Sequence, residues 1–198
     1  MLRQDDPARR SKLERHPSLD DRFDPAIDVA PHDPEWVGEF EREAAAIRNA
    51  LSDVVLRIEH VGSTAVPDLP AKPIIDIQVS VSNIEERDAF VRPLERLGYL
   101  FAPDPESPDY HFFGKPRERP RRYHVHVCAA GSGEEMRHLV VRDFLRSHSE
   151  EAAGYADLKR ELARRTHQDR LAYIEGKEPF MRDLEQRAVA WSKARGSA

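Results

Sequence analysis

The residue that most needs a chemical reason is Asp76, an acid inside the apolar run Ile74-Ile75-Asp76-Ile77-Gln78-Val79. Strand side chains alternate, so Asp76 and Gln78 share one face of that run. An acid so placed makes either a salt bridge or turn hydrogen bond, or a cation ligand. A second candidate is Gly62-Ser63-Thr64, directly after another β-rich run. There a glycine permits close backbone approach, and hydroxyls with backbone N–H groups can hold a phosphate, although the same residues are common in ordinary turns. The third is Tyr123-His124-Val125-His126-Val127. Its apolar residues point to the core and leave His124 and His126 together on the other face, as a metal-binding pair or as two hydrogen-bonded imidazoles.

These groups need elements to carry them. Asp33 and Pro34 start a helix that runs to Leu51, with Trp36, Val37, Phe40, Ala44, Ile47 and Leu51 on one face. A short strand at Ile27-Asp28-Val29 precedes it. Strands are expected at Val54 to Val61 and Pro73 to Val81, then a helix from Ile84 to Leu97 stopped by Gly98. The latter leads into Tyr99-Leu100-Phe101 and a proline-rich turn from Ala102 to Asp109. Tyr110 to Gly114 and Arg122 to Cys128 read as a hairpin whose tip, Lys115 to Arg122, is basic and serves as a solvated loop or as a lid over an anion. Three helices follow: Glu134 to Ser147, Ser149 to Glu175 and Glu178 to Ser192, with breaks near His148 and Gly176. Residues 1–26 lack an apolar period and read as a disordered or loosely docked arm, leaving 27–198 as one domain.

The chain has 198 residues, 31 basic and 36 acidic, with a net charge of -5. That balance disfavours a nucleic-acid duplex or an anionic membrane as partner and favours a small molecule or a protein. Cys128 is the one cysteine and lies in an apolar strand, so packing is its expected role. Neither a signal-type apolar region at the start nor a run long enough to span a membrane is present, and a cytoplasmic location is the expectation.

The stretch Ile58-Glu59-His60-Val61-Gly62-Ser63-Thr64-Ala65-Val66-Pro67, followed by Ala71-Lys72-Pro73-Ile74-Ile75-Asp76-Ile77, resembles the signature of the GrpB family. The likeness continues in Asp33-Pro34-Glu35-Trp36, in the histidine strand, in Arg142-Asp143-Phe144-Leu145-Arg146, and in Tyr155, Lys159, Tyr173, Lys177 and Phe180. It implies a nucleotidyltransferase-superfamily fold: an α+β domain with a mixed sheet, helices packed on it and a C-terminal helical region. The superfamily pattern is Gly-Ser after one strand and Asp-x-Asp or Asp-x-Glu on the next. Gln78 stands in place of the second acid and binds a hard cation more weakly, and Asp68 stands where the family pattern has glycine. Aspartate tolerates a positive φ better than most residues.

The resemblance implies metal-dependent transfer from a nucleoside triphosphate to an acceptor, with Mg2+ or Mn2+ as cofactor and Asp76 and His126 catalytic. Gly62, Ser63, Thr64, Lys72, Arg142, Lys159 and Lys177 are the expected phosphate-binding residues, and Asp76, Gln78, His124 and His126 the expected metal set. Of Glu59 and His60, which face opposite ways, His60 is favoured as the one in the cleft. Two further readings stand beside this one: a nucleotide-binding or interaction module without turnover, and a transition-metal hydrolase using His60, Asp76 and the histidine pair.

Overall fold

A computed structural model of the protein describes residues 27–102, 109–116, 120–167 and 169–196. The expected N-terminal arm, most of the proline-rich turn and the middle of the basic hairpin tip lie outside the described residues.

Helix α1, Glu35–Leu51, begins where expected because Asp33 accepts a hydrogen bond from the Glu35 amide at 2.9 Å. It leads into β1, Val55–Val61, and a loop that returns as β2, Ile75–Val81. Helix α2, Asp88–Arg96, is shorter than the spacing suggests. Asn83 Oδ1 accepts from the Glu85 amide and its Nδ2 donates to Glu86, which holds the start of that segment in a turn. Strands β3, Leu100–Ala102, β4, Tyr110–Lys115, and β5, Tyr123–Ala129, complete a five-stranded sheet in the order β1-β2-β5-β4-β3. The expected β4–β5 hairpin is present, and β2 pairs with β5 in parallel while every other pairing is antiparallel. The strand expected at Ile27 to Val29 reduces to one bridge, Ala30 to Ala71. Pro31 and Pro70 flank that bridge and have no N–H with which to extend it.

The two faces of the sheet have opposite character. Ile75, Ile77, Val79 and Val81 of β2 and Val125 and Val127 of β5 are fully buried against Trp36 and Ile47 of α1 and Phe90 and Leu94 of α2. Burying each such side chain contributes about 1.5–3 kcal/mol. The other face carries Asp76, Gln78, Ser80, His124 and His126; helix α3, Gly133–Ser147, packs on it, and α4, Ser149–Thr166, and α5, Arg170–Gly196, pack on α3 and line a cleft at its Asp76 end. These helices share their own core, built around Phe144, Leu145, Tyr155 and Leu184 with Val66 and Leu69 of the β1–β2 loop.

The break between the last two helices falls at His167, with φ 52°, and not at Gly176. Asp169 Oδ1 accepts from the Ala172 amide and starts α5, and Gly176 lies inside that helix. A Cβ at Gly176 would approach Leu162 of α4 to 2.6 Å, so this glycine serves close helix packing and not termination. Tyr173 and Lys177 are thereby on one continuous helix. No helix among the described residues is long and apolar enough to cross a membrane.

Candidate functional site

Gly62 follows the last residue of β1 with φ 71°, and Ser63–Ala65 forms a single tight turn after it. Two constraints make glycine necessary here. The positive φ disfavours any side chain, and a Cβ would sit 2.5 Å from Asp76 Oδ2. The loop therefore lies directly on the carboxylate of the neighbouring strand. The positive φ allowed for at Asp68 is present, at 61°. Arg146 donates to the Ala65 carbonyl at 2.9 Å and Arg142 to the His60 carbonyl at 3.0 Å, clamping both sides of the turn to α3.

The parallel register sets Asp76 beside His124 and Gln78 beside His126. His124 Nδ1 and His126 Nε2 both reach Asp76 Oδ1, at 3.2 and 3.1 Å. A carboxylate only accepts, so both ring nitrogens donate. His126 Nδ1 is then an acceptor for the Tyr110 hydroxyl at 2.8 Å, which engages both nitrogens of that ring. His124 Nε2 is left as a lone pair that finds no hydrogen-bond partner among the described residues. Burial works to raise the Asp76 pKa, but the two imidazoles outweigh it and hold the carboxyl far below the ordinary range. Burial lowers His124 against the pull of Asp76, keeping it neutral.

Other expected members of this group are elsewhere. Gln78 is fully buried, with Oε1 taken by His138 Nδ1 of α3 at 2.9 Å. Desolvation drives His138 down to about 2, so it is a neutral donor. His60 faces the apolar side, stacked on Phe40 of α1, and its pKa is lowered to about 4 by burial. This corrects the preference for His60 in the cleft and removes it from any set with the histidine pair. The reason is alternation: His60 pairs with Ile77, whose face is the core, while Glu59 pairs with Gln78. Glu59 forms an ion pair with Arg142 at 2.8 Å. Thr64 is buried, and its hydroxyl binds the Ile74 carbonyl and His60 Nε2, bracing the loop. The Ser63 hydroxyl instead lies 3.2 Å from Lys159 Nζ, at the border of the cleft.

Between the loop and α4 and α5 lies a cleft of about 270 Å³. Gly62, Ser63, Asp76 and His124 form one wall, and Lys72, Lys159, Arg170 and Lys177 line the rest with Tyr155 and Tyr173. Three of the expected lysines thus converge. Arg142 does not join them and lines a smaller adjoining cavity of about 100 Å³, together with Arg137 and His138. Lys159 Nζ stands 4.5 Å over the Tyr155 ring and Lys177 Nζ 4.5 Å over the Tyr173 ring. Burial, then Lys177 and Arg160, lower Lys159 to about 7; burial, then Lys72, lower Lys177 to about 8.

Tyr155, Tyr173 and Arg170 were not among the residues expected to act. A signal for the tyrosines was present, because each lies four residues before a lysine, the spacing that stacks side chains on one helix face. Arg170 carries no comparable signal.

Among the described residues, no group of three or more His, Cys, Asp or Glu side chains is placed to hold a metal ion. The set Asp76, Gln78, His124 and His126 does not converge, because Gln78 is bound to His138 and His126 is engaged at both nitrogens. Asp76 and His124 alone line the cleft, Asp76 with 26% of its side chain exposed. This donor set does not fit a cation held by protein alone. It fits one carried in on a phosphate, since Mg2+ is usually bound by one or two carboxylates plus substrate phosphates and water.

Comparison with known proteins adds four findings. The family model described as GrpB protein matches residues 26–187. A UPF0157 protein of Pseudomonas aeruginosa is 44% identical over 170 residues, covering 84% of this chain and 69% of that protein. A protein of Mycolicibacterium paratuberculosis named dephospho-CoA kinase is 31% identical over 194 residues, and the match covers 86% of this chain but 48% of that one. Among solved structures, the conserved protein GrpB from Enterococcus faecalis superposes with a TM-score of 0.77 at 35% identity, covering 83% of this chain and 99% of the other. The signature loop, the mixed sheet and these matches agree: the chain belongs to the GrpB family.

Proposed function

We propose that the cleft binds the phosphates of a nucleotide or another phosphorylated small molecule, and that in the presence of Mg2+ or Mn2+ it supports nucleotidyl transfer to an acceptor. The observation that carries this reading is that Lys72, Lys159, Arg170 and Lys177 line one cleft with Ser63, Lys159 within 3.2 Å of its hydroxyl. Asp76 is the one carboxylate among the described residues lining that space. Four basic side chains crowded into a partly desolvated space repel one another, and a bound polyanion relieves that repulsion. Lys177, held at about 8, takes up a proton when it enters.

Asp76 would hold the cation, which supplies neutralisation of the charge that develops on the phosphates. His124 and His126 fix the carboxylate so that Oδ2 faces the loop. The resemblance to the nucleotidyltransferase superfamily supports transfer as the reaction. A second reading, binding without turnover, is favoured by Gln78, since the position of the second acid is neutral, buried and bonded to His138.

The test is a thermal-shift and calorimetry panel of nucleoside triphosphates, dephospho-CoA, pyrophosphate and phosphate, with and without Mg2+ or Mn2+. Relatives named dephospho-CoA kinase place that compound in the panel. Stabilisation by at least one phosphorylated compound is expected, with pyrophosphate released from a triphosphate. Binding without release selects the second reading, and no response to any compound overturns both.

A further inference from the structure

Ser63 stands where the two cavities meet and lines both. Its Oγ is 3.2 Å from Lys159 Nζ, and Tyr155, one helical turn before Lys159, is hydrogen-bonded to the same serine. Lys159 is 3% exposed, and its other hydrogen bond is to the Pro70 carbonyl. A carbonyl oxygen only accepts, so it takes an N–H. A neutral amine held by that bond keeps its lone pair available to the serine hydroxyl.

We propose that Ser63 and Lys159 form a nucleophile–base pair that takes a phosphoryl group from the bound ligand onto Ser63, a step that rests on the phosphate reading of the cleft for its electrophile. Ser63 Oγ forms a bond to phosphorus while the bond from phosphorus to the leaving oxygen breaks. The serine proton passes to Lys159 Nζ and from there to the leaving oxygen, and the product is phosphoserine.

Three further observations agree with this step. The Lys159 pKa of about 7 leaves much of the amine neutral near pH 7. Tyr155, raised to about 12 by burial, stays protonated and does not compete for the serine proton. Lys72, Arg170 and Lys177 occupy the same cleft as the serine, where a phosphoryl group's charge would be held. The groups that face Lys159 are Tyr155 and Arg160 of its own helix, Lys177 of α5, and Ser63 and Pro70 of the loop. None is an acid that would hold its proton.

An alkyl fluorophosphonate tests the pair, since attack by Oγ expels fluoride whatever the natural leaving group is. With the full chain, intact-protein mass spectrometry should show one label, mapping to Ser63, at a rate that rises with pH through about 7. Ser63→Ala should remain unlabelled. Lys159→Arg keeps the charge but cannot serve as base, so the rate should fall about 100-fold or more. Lys159→Met should show the same loss and replaces the arginine variant if that one does not fold, as judged by circular dichroism. No label at Ser63, or a Lys159→Arg rate within a few-fold of the parent, overturns the proposal. Calorimetry with inorganic phosphate separates the two readings. Phosphate that binds and slows labelling supports both. Phosphate binding without any labelling overturns the nucleophile alone, and labelling that phosphate does not slow overturns the phosphoryl electrophile.

Discussion

The two faces of one sheet differ in what they spend their residues on. Along β2, Ile75, Ile77, Val79 and Val81 are fully buried under α1 and α2, while Asp76, Gln78 and Ser80 between them face α3, α4 and α5. The apolar side chains of β2 need no particular partner, since their contacts are non-directional packing. The polar face is satisfied only where a specific partner arrives: His124 and His126 for Asp76, and His138 for Gln78. It leaves His124 Nε2 without a hydrogen-bond partner among the described residues. Stability is concentrated on the first face and the proposed phosphate binding on the second, and substitutions should separate them.

The largest expected effect is on the apolar face. Ile77→Ala should cost about 3 kcal/mol in urea unfolding, while phosphate affinity of the folded protein changes less than about twofold. A parallel loss of affinity would break the division between the faces. Gly62→Ala joins the two, because its Cβ collides with Asp76 and its φ is positive. It should destabilise by about 2 kcal/mol and also abolish phosphate binding by calorimetry, unlike Ile77→Ala.

On the polar face, Lys177→Met should weaken phosphate binding about tenfold or more, of the order lost with one charged hydrogen bond, without loss of stability at pH 7. The sign follows from linkage. The folded pKa of about 8 lies below the unfolded 10.5, so the buried charge lowers stability at neutral pH, and stability recovers as pH rises through that interval. The variant should therefore match or exceed the parent in Tm at pH 7 and lose that advantage by about pH 10.5.

The smallest effect lies on the apolar face. His60 is held at about 4 against 6.5 unfolded. Above 6.5 both states are neutral and its contribution is full. Between 6.5 and 4 the unfolded chain binds the proton first, and stability falls with pH. His60→Leu should flatten that part of the pH–stability curve measured by thermal melts, and an unchanged slope would remove His60 as a source of acid sensitivity.

Much of this was legible in the sequence because it rests on local rules. Strand alternation separated Asp76 and Gln78 from their apolar neighbours, and the Asp33 cap and the hairpin appear where expected. That Lys72, Lys159 and Lys177 share one cleft with Ser63 was legible only through the family resemblance, since Lys72 and Lys177 lie 105 positions apart in a chain of 198. Gly176 misled, because a glycine that ends a helix and one that lets two helices touch look alike until the second helix is placed. His60 misled for a related reason: its apolar neighbours marked its face, but which face would become the cleft depended on α3, α4 and α5.

By itself the sequence determined most of the elements, the two-faced strands and the family, because periodicity, capping and the signature loop are properties of neighbouring residues. Only the tertiary structure decided which polar residues act together. It gave Gln78 to His138 and His126 to Tyr110, set Gly62 against Asp76, and closed two lysine-bearing helices over Ser63. A side chain's direction follows from its own strand, but its partner is fixed by how distant elements pack.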